Sequence, residues 1–241
     1  MTEPAPRTAF VAGGGGALGR AVVAALLAED YRVCVPWFVE EEEAGLRAAH
    51  PAEVDADRLR LSRCDVTDPD QVAALLDVAA ADWGPLWLAT STVGGWAGGE
   101  RVDELADLTV FDRMYRLNLK TAAVVAREGL RHMGEQGGRV VLVGARQALR
   151  PSAGEAAYSA AKAGVTALVG ALAAELSGSD RTANAVLPAL IDTPGNRAAM
   201  PHANHADWTP PEAIADVITW LAGPQAWLVS GATIPVYGRM G

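Results

Sequence analysis

Along the chain, short apolar runs alternate with longer segments whose apolar residues recur at helical spacing. Thr8–Ala12 reads as a strand and Ala17–Ala28 as an Ala/Leu-rich helix. Tyr31–Val35 and Leu59–Arg63 are the next strands. A helix then opens at Asp68-Pro69, where the aspartate can cap and the proline suits the first turn. Leu86–Ser91 and Arg139–Val143 are further strands, with a long amphipathic helix of roughly 111–133 between them. Another helix covers about 155–176, and Thr182–Leu187 and Thr233–Val236 close the series of seven strands. Strands that are apolar throughout and separated by helices build right-handed βαβ units. The expected fold class is therefore α/β: one doubly wound Rossmann domain over residues 1–241, with a central seven-stranded parallel sheet flanked by helices. Residues 1–7 are polar and proline-bearing and are expected to be a flexible N-terminus. The irregular stretch 189–210 is longer than an ordinary connection and is expected to be a substrate lid.

Composition narrows the partners. The 241 residues are 50% hydrophobic and 20% charged, which suits a packed core and argues against disorder. A formal net charge of −9 without a Lys/Arg cluster excludes nucleic acid and anionic membrane as natural partners. No apolar run is seen that approaches the ~20 residues a membrane helix needs. Cys34 and Cys64 fall inside apolar segments and read as buried free thiols, and a cytoplasmic location is expected.

Candidate chemistry begins at the first turn. Gly13-Gly14-Gly15-Gly16-Ala17-Leu18-Gly19 follows the first strand and opens the first helix. Glycines let a backbone turn tightly and approach a pyrophosphate, which then sits on the helix N-terminus. Such a turn also serves as a plain strand-to-helix link, but its place after the first strand favours dinucleotide binding. At the end of the second strand, where a carboxylate usually holds the adenosine ribose, stands Trp37 within Pro36-Trp37-Phe38. There is no arginine there for a 2′-phosphate either. Glu40–Glu43 nearby reads as the solvated start of a helix, and repels a phosphate if it lies close.

Tyr158-Ser159-Ala160-Ala161-Lys162 places a phenol and an ammonium at i and i+4, on one helix face. A free tyrosine titrates near ~10, and a neighbouring ammonium is expected to lower that value. The pair, its position after the fifth strand and the glycine turn resemble the short-chain dehydrogenase/reductase family over residues 8–238. The resemblance implies an NAD(P)(H)-dependent oxidoreductase, with the balance toward NAD(H). It makes Tyr158 the acid/base, Lys162 the holder of ribose and phenol, and Asn118 in Leu117-Asn118-Leu119 the carrier of a relay water. It also assigns cofactor contacts to Gly13, Gly16, Ala17, Leu18, Gly19, Trp37, Asp65, Val66, Gly94, Pro188, Ile191 and Thr193.

Two departures stand out. The family's Asn-Asn-Ala-Gly after the fourth strand is Ser91-Thr92-Val93-Gly94, and its serine, thirteen residues before the tyrosine, is Ala145. Gly94-Gly95-Trp96-Ala97-Gly98-Gly99, Asp192-Thr193-Pro194 and Trp208-Thr209-Pro210 resemble the quinonoid dihydropteridine reductase branch, which also lacks the serine. That likeness implies hydride transfer to C=O or to a conjugated, quinonoid or imine-like C=N of a small molecule. Ala145, Gln147, Trp96 and Trp208 are the expected substrate contacts. An ordinary ketone reductase, and a catalytically silent dinucleotide-binding regulator on the same fold, are the rival readings. His202 and His205 lack a third ligand, so no metal is expected. Arg197 is read as meeting either an anionic substrate or an acidic neighbour, and Trp83, Trp87, Trp220 and Trp227 as core or interface. A homotetramer or homodimer, packed through the helices near 111–133 and 155–176, is the expected assembly.

Overall fold

A computed structural model describes residues 6–239. The strands are β1 (Thr8–Ala12), β2 (Arg32–Trp37), β3 (Leu59–Arg63), β4 (Leu86–Ser91), β5 (Gly138–Val143), β6 (Arg181–Pro188) and β7 (Thr233–Val236). They form one parallel sheet in the order β3-β2-β1-β4-β5-β6-β7. The order reverses between β1 and β4, which opens a crevice at their C-terminal ends.

Helices cover both faces: α1 (Ala17–Ala28), α2 (Glu40–Ala49), α3 (Pro51–Asp55), α4 (Pro69–Trp83), α5 (Thr109–Met114), α6 (Thr121–His132), α7 (Ala156–Glu175), α8 (Pro194–Ala199) and α9 (Pro211–Ala222). Successive strand residues feed opposite layers, as the period of two requires. Phe10 and Ala12 join Val72, Leu76, Val125 and Val165 under α4, α6 and α7. Ala9 and Val11 join Val22, Leu26, Ile214 and Ile218 under α1 and α9. Truncating Phe10, which is fully buried, to alanine costs about 3–5 kcal/mol.

Asp68 caps α4 as its sequence implies, accepting from the N–H groups of Asp70 and Gln71. The helix expected over 111–133 is continuous in α5 and α6, but a π-helical turn, Tyr115–Lys120, joins them. Asn118 lies in that turn, and its Nδ2 donates to the Met114 carbonyl at 3.1 Å. A side chain that competes for a helix carbonyl disturbs the regular ladder. α9 is not among the sequence-derived elements. It begins at a Pro210-Pro211 pair and buries Ile214, Ile218 and Leu221.

α7 is long and apolar enough to cross a membrane by length and composition, contrary to the absence of such a run expected above. Here its buried positions Val165, Val169 and Leu172 belong to the core beneath the sheet. The flexible N-terminus falls mostly on residues 1–5, outside the described residues. Arg7 is held: its carbonyl accepts from Arg32 N at 2.9 Å and its guanidinium lies 4.3 Å over Trp87.

Candidate active site

The glycine turn leaves β1 at the crevice. Gly13 has φ +79°, and a Cβ there would stand 2.7 Å from Thr92 Oγ1. A Cβ on Gly19 would stand 2.0 Å from the Gly13 carbonyl oxygen, so only glycine lets α1 sit on the turn. Gly16 offers no side-chain cap to α1. The first-turn N–H groups are therefore open to an anion, and the cradle fits a pyrophosphate. Thr92 ties the turn to β4, its hydroxyl donating to the carbonyls of Ala12 (3.1 Å) and Gly13 (3.0 Å).

From the turn, a cavity of about 390 Å³ runs over Gly13, Gly16, Asp65, Val66 and Gly94. Pro36, Phe38, Val39 and Glu42 also line it, and Trp37 does not. Strand alternation sets Pro36 and Phe38 together on this wall and Trp37 apart from it. Asp65 Oδ1 accepts from Thr67 N at 2.8 Å, and Arg116 stands 3.9 Å from Oδ2.

A second cavity of about 210 Å³ shares Thr92 and Gly94 with the first. Leu18, Trp96, Asn118, Ala145, Tyr158, Lys162, Pro188 and Ile191 are among its walls. Lys162 is buried, and its Nζ donates to the Val143 carbonyl at 3.0 Å. Burial lowers its pKa to about 8. Nζ lies 6.0 Å from the Tyr158 ring centroid. Tyr158 is pushed up to about 12, first by burial and then by the charge of Glu155. Burial thus raises the phenol, and Lys162 is not among the groups that shift it. Asn118 spends its amide on the carbonyls of Gly95 and Met114, both at 3.1 Å, while its Oδ1 accepts from Gly95 N at 3.3 Å. It fixes the loop after β4 against the helix. A Cβ on Gly94 would stand 2.8 Å from Asn118 Oδ1 and 3.3 Å from Lys162 Nζ, so the missing side chain keeps the cleft open.

Other expected residues lie elsewhere. Ala17, the exposed first residue of α1, borders a groove between α1 and α9. Gly19 packs against the turn rather than lining the cavity. Thr193 caps α8 through Asn196 N at 3.1 Å. Gln147 sits in a 3-10 turn, Arg146–Ala148, away from the cavity walls. Trp208 is buried, with its ring centroid 4.4 Å from that of His205, so it packs the loop instead of bordering the cleft. Arg197 takes the acidic neighbour, pairing with both oxygens of Asp192 at 2.5 and 2.6 Å. Trp83 is buried, whereas Trp220 and Trp227 are exposed. Cys34 and Cys64 are buried free thiols, with burial raising them to about 12 and about 11. Among the described residues, no three His, Cys, Asp or Glu side chains converge as a metal site. Sequence reasoning missed Thr92, Glu42 and Glu155. Only the four-glutamate run hinted at any of them.

Residues 7–204 match the family model described as short chain dehydrogenase. A cis-4-hydroxycyclohexanecarboxylate dehydrogenase of Sinomonas cyclohexanicum is 33% identical over 243 residues, covering 97% of this chain and 96% of that protein. A 3-oxoacyl-[acyl-carrier-protein] reductase of Mycobacterium tuberculosis is 30% identical over 244 residues, covering 98% and 93%. Among solved structures, a short-chain dehydrogenase/reductase from Serratia marcescens aligns at TM-score 0.86 and 27% identity over 98% of each chain. A blue fluorescent protein from a metagenomic library, in complex with NADPH, aligns at TM-score 0.85 and 26% identity over 98% of each chain.

Proposed function

This chain belongs to the short-chain dehydrogenase family of NAD(P)-binding oxidoreductases, and on that premise we propose that it reduces a C=O or conjugated C=N bond of a small molecule with Tyr158 as proton donor. The observation that carries the reading is a half-buried Tyr158 sharing a cleft with Lys162, Asn118 and Leu18 at the start of α1. A bound dinucleotide supplies hydride. In this reading the glycine turn and the N-terminus of α1 hold its pyrophosphate, with Asp65 and Val66 beside the adenine. Lys162 would hold the ribose hydroxyls, its Nζ 6.0 Å from the Tyr158 ring centroid. Pro188 and Ile191 close the nicotinamide end.

Tyr158 passes its proton to the substrate oxygen or nitrogen as hydride reaches carbon. Asn118 keeps the Gly94–Gly95 loop in place. With Ala145 in the wall, no serine hydroxyl polarises a carbonyl, which favours an acceptor that is already conjugated and imine-like. NADH is the proposed partner at least as readily as NADPH, because Glu42 and Asp65 line the adenosine end and, among the described residues, no lysine or arginine lines it, Arg116 standing 3.9 Å from Asp65. Clearly tighter NADPH binding in a fluorescence titration overturns that preference.

The loop 189–210 is proposed as the lid. Its base is pinned by Asp192 N to the Thr209 carbonyl (2.9 Å) and Thr209 N to the Leu190 carbonyl (3.0 Å). Its body between those pins is free to close over the nicotinamide and exclude water. Assembly is proposed as a homotetramer or homodimer through α5–α6 and α7, and location as cytoplasmic. Light scattering that reports only monomer at micromolar concentration overturns the assembly.

The function is tested by following NADH and NADPH consumption with a panel of ketones and conjugated imines. Turnover of at least one member is expected. Dinucleotide binding with no turnover across the panel overturns the reading in favour of a silent regulator.

A further inference from the structure

The adenosine end of the larger cleft cavity carries a carboxylate that the second strand does not supply. Glu42, in the first turn of α2, lines that cavity together with Gly13, Gly16 and Asp65. Glycine makes its place: a Cβ on Gly15 would collide with Glu42 Cβ and stand 2.9 Å from Glu42 Oε2. Arg20 holds α2 against the turn. Its Nε donates to the Gly15 carbonyl at 2.8 Å, and its guanidinium fills the space beside Gly45 of α2, where a Cβ would stand 2.8 Å from Arg20 Cζ. The neighbouring acids are otherwise placed. Glu40 and Glu41 are exposed, and Glu43 pairs with Arg47 at 2.6 Å. Asp65 spends Oδ1 on Thr67 N, with Arg116 3.9 Å from Oδ2. Glu42 is half-buried and still open to solvent. Among the described residues nothing donates to its carboxylate, and no arginine or lysine pairs with it within 4.0 Å.

We propose that Glu42 is the specificity-determining residue of the dinucleotide site, accepting hydrogen bonds from the adenosine ribose hydroxyls and repelling a 2′-phosphate. This rests on the dinucleotide-binding reading and names the group that makes the choice. The strand-end position that ordinarily carries such an acid holds Trp37, which is not among the walls of the cavity. The carboxylate comes instead from a helix, brought in by two glycines and an arginine. Its two oxygens only accept, and a ribose diol offers two O–H donors without charge. A 2′-phosphate removes one of those donors and sets like charges side by side. Both losses fall on one residue, so the preference for the unphosphorylated ribose should stand or fall with Glu42.

The test is a fluorescence titration of the full chain with three probes: NADH, its 2′-deoxyadenosine analogue and NADPH. The parent is expected to bind NADH at least about tenfold tighter than the deoxy analogue, the scale of a hydrogen bond to a charged group. NADPH is expected to bind more weakly still. Glu42→Ala is expected to bring all three probes within about threefold of one another. Should that variant not fold, Gly15→Ala asks the same question, because its methyl displaces Glu42 from the turn. The ratio between probes, rather than the affinity for any one, is the readout, so a general weakening of the turn does not imitate the result. A parent that binds the deoxy analogue or NADPH as tightly as NADH overturns the proposal, as does a preference that survives in Glu42→Ala. A preference that depends on Glu42 in a protein that reduces no acceptor leaves Glu42 in its role and overturns the reductase reading instead.

Discussion

The two ends of the cleft are built by opposite means. At the glycine end, side chains are absent so that backbone can approach backbone: the Gly13 carbonyl fills the space where a Gly19 Cβ would be. At the chemical end, polar side chains are buried, and desolvation sets their protonation: the phenol is driven up and the ammonium down. The first end works by shape and the second by solvation. Substitutions should therefore be all-or-none at one and graded at the other.

The largest effect is expected at the glycine end. Gly19→Ala has no room for its methyl, and overpacking there should cost about 1–3 kcal/mol or more and abolish dinucleotide binding. Thermal melts with a nucleotide titration check this. Normal binding would remove the contrast between the two ends.

Next comes Lys162→Met. Turnover should fall at least about a hundredfold and dinucleotide affinity should drop with it. Stability should move the other way. Lys162 titrates at about 8 in the fold and at 10.5 unperturbed, so its burial opposes folding fully below pH 8 and less as pH rises toward 10.5. The unliganded variant should be more stable than the parent at pH 7, by on the order of 3 kcal/mol, and the difference should shrink across that window. Denaturant melts at pH 7 and pH 10 measure it, and a gap that widens with pH contradicts a buried ammonium.

Asn118→Ala removes two hydrogen bonds that join the loop after β4 to the π-helical turn and a third to the Met114 carbonyl. Turnover should fall about tenfold, with protection of the Gly95 amide lost in hydrogen exchange. The smallest effect is expected from Ala145→Ser. A restored hydroxyl should improve ketone reduction a few-fold and leave imine reduction equal or slower. An equal gain on both acceptors would detach Ala145 from substrate choice.

The sheet and the glycine end were plain from the chain because their signals are local. β1, α1, β3, β4 and β7 fall on the expected residues, since short strand-length runs are punctuated by glycines and by Asp68-Pro69. α9 escaped because its helical period, Ile214 to Ile218, begins straight after the proline-rich stretch 189–210. Trp37 was placed by its position at the end of the second strand, but strand alternation, and an α2 that brings Glu42 to the turn, decide what lines that wall. Tyr158 and Lys162 were legible as a pair from their spacing, and Asn118 from the family resemblance. Their protonation states were not, because a pKa set by burial belongs to the packed surroundings.

Proton donation by Tyr158 is the central claim, and Tyr158→Phe tests it most directly. The ring stays and only a hydroxyl goes, so fold and dinucleotide affinity should match the parent. Turnover on the best acceptor of the panel should fall by about two or more orders of magnitude, the scale of a lost general acid. A Tyr158→Phe protein that binds dinucleotide normally and turns over that acceptor at the parent rate would contradict the account.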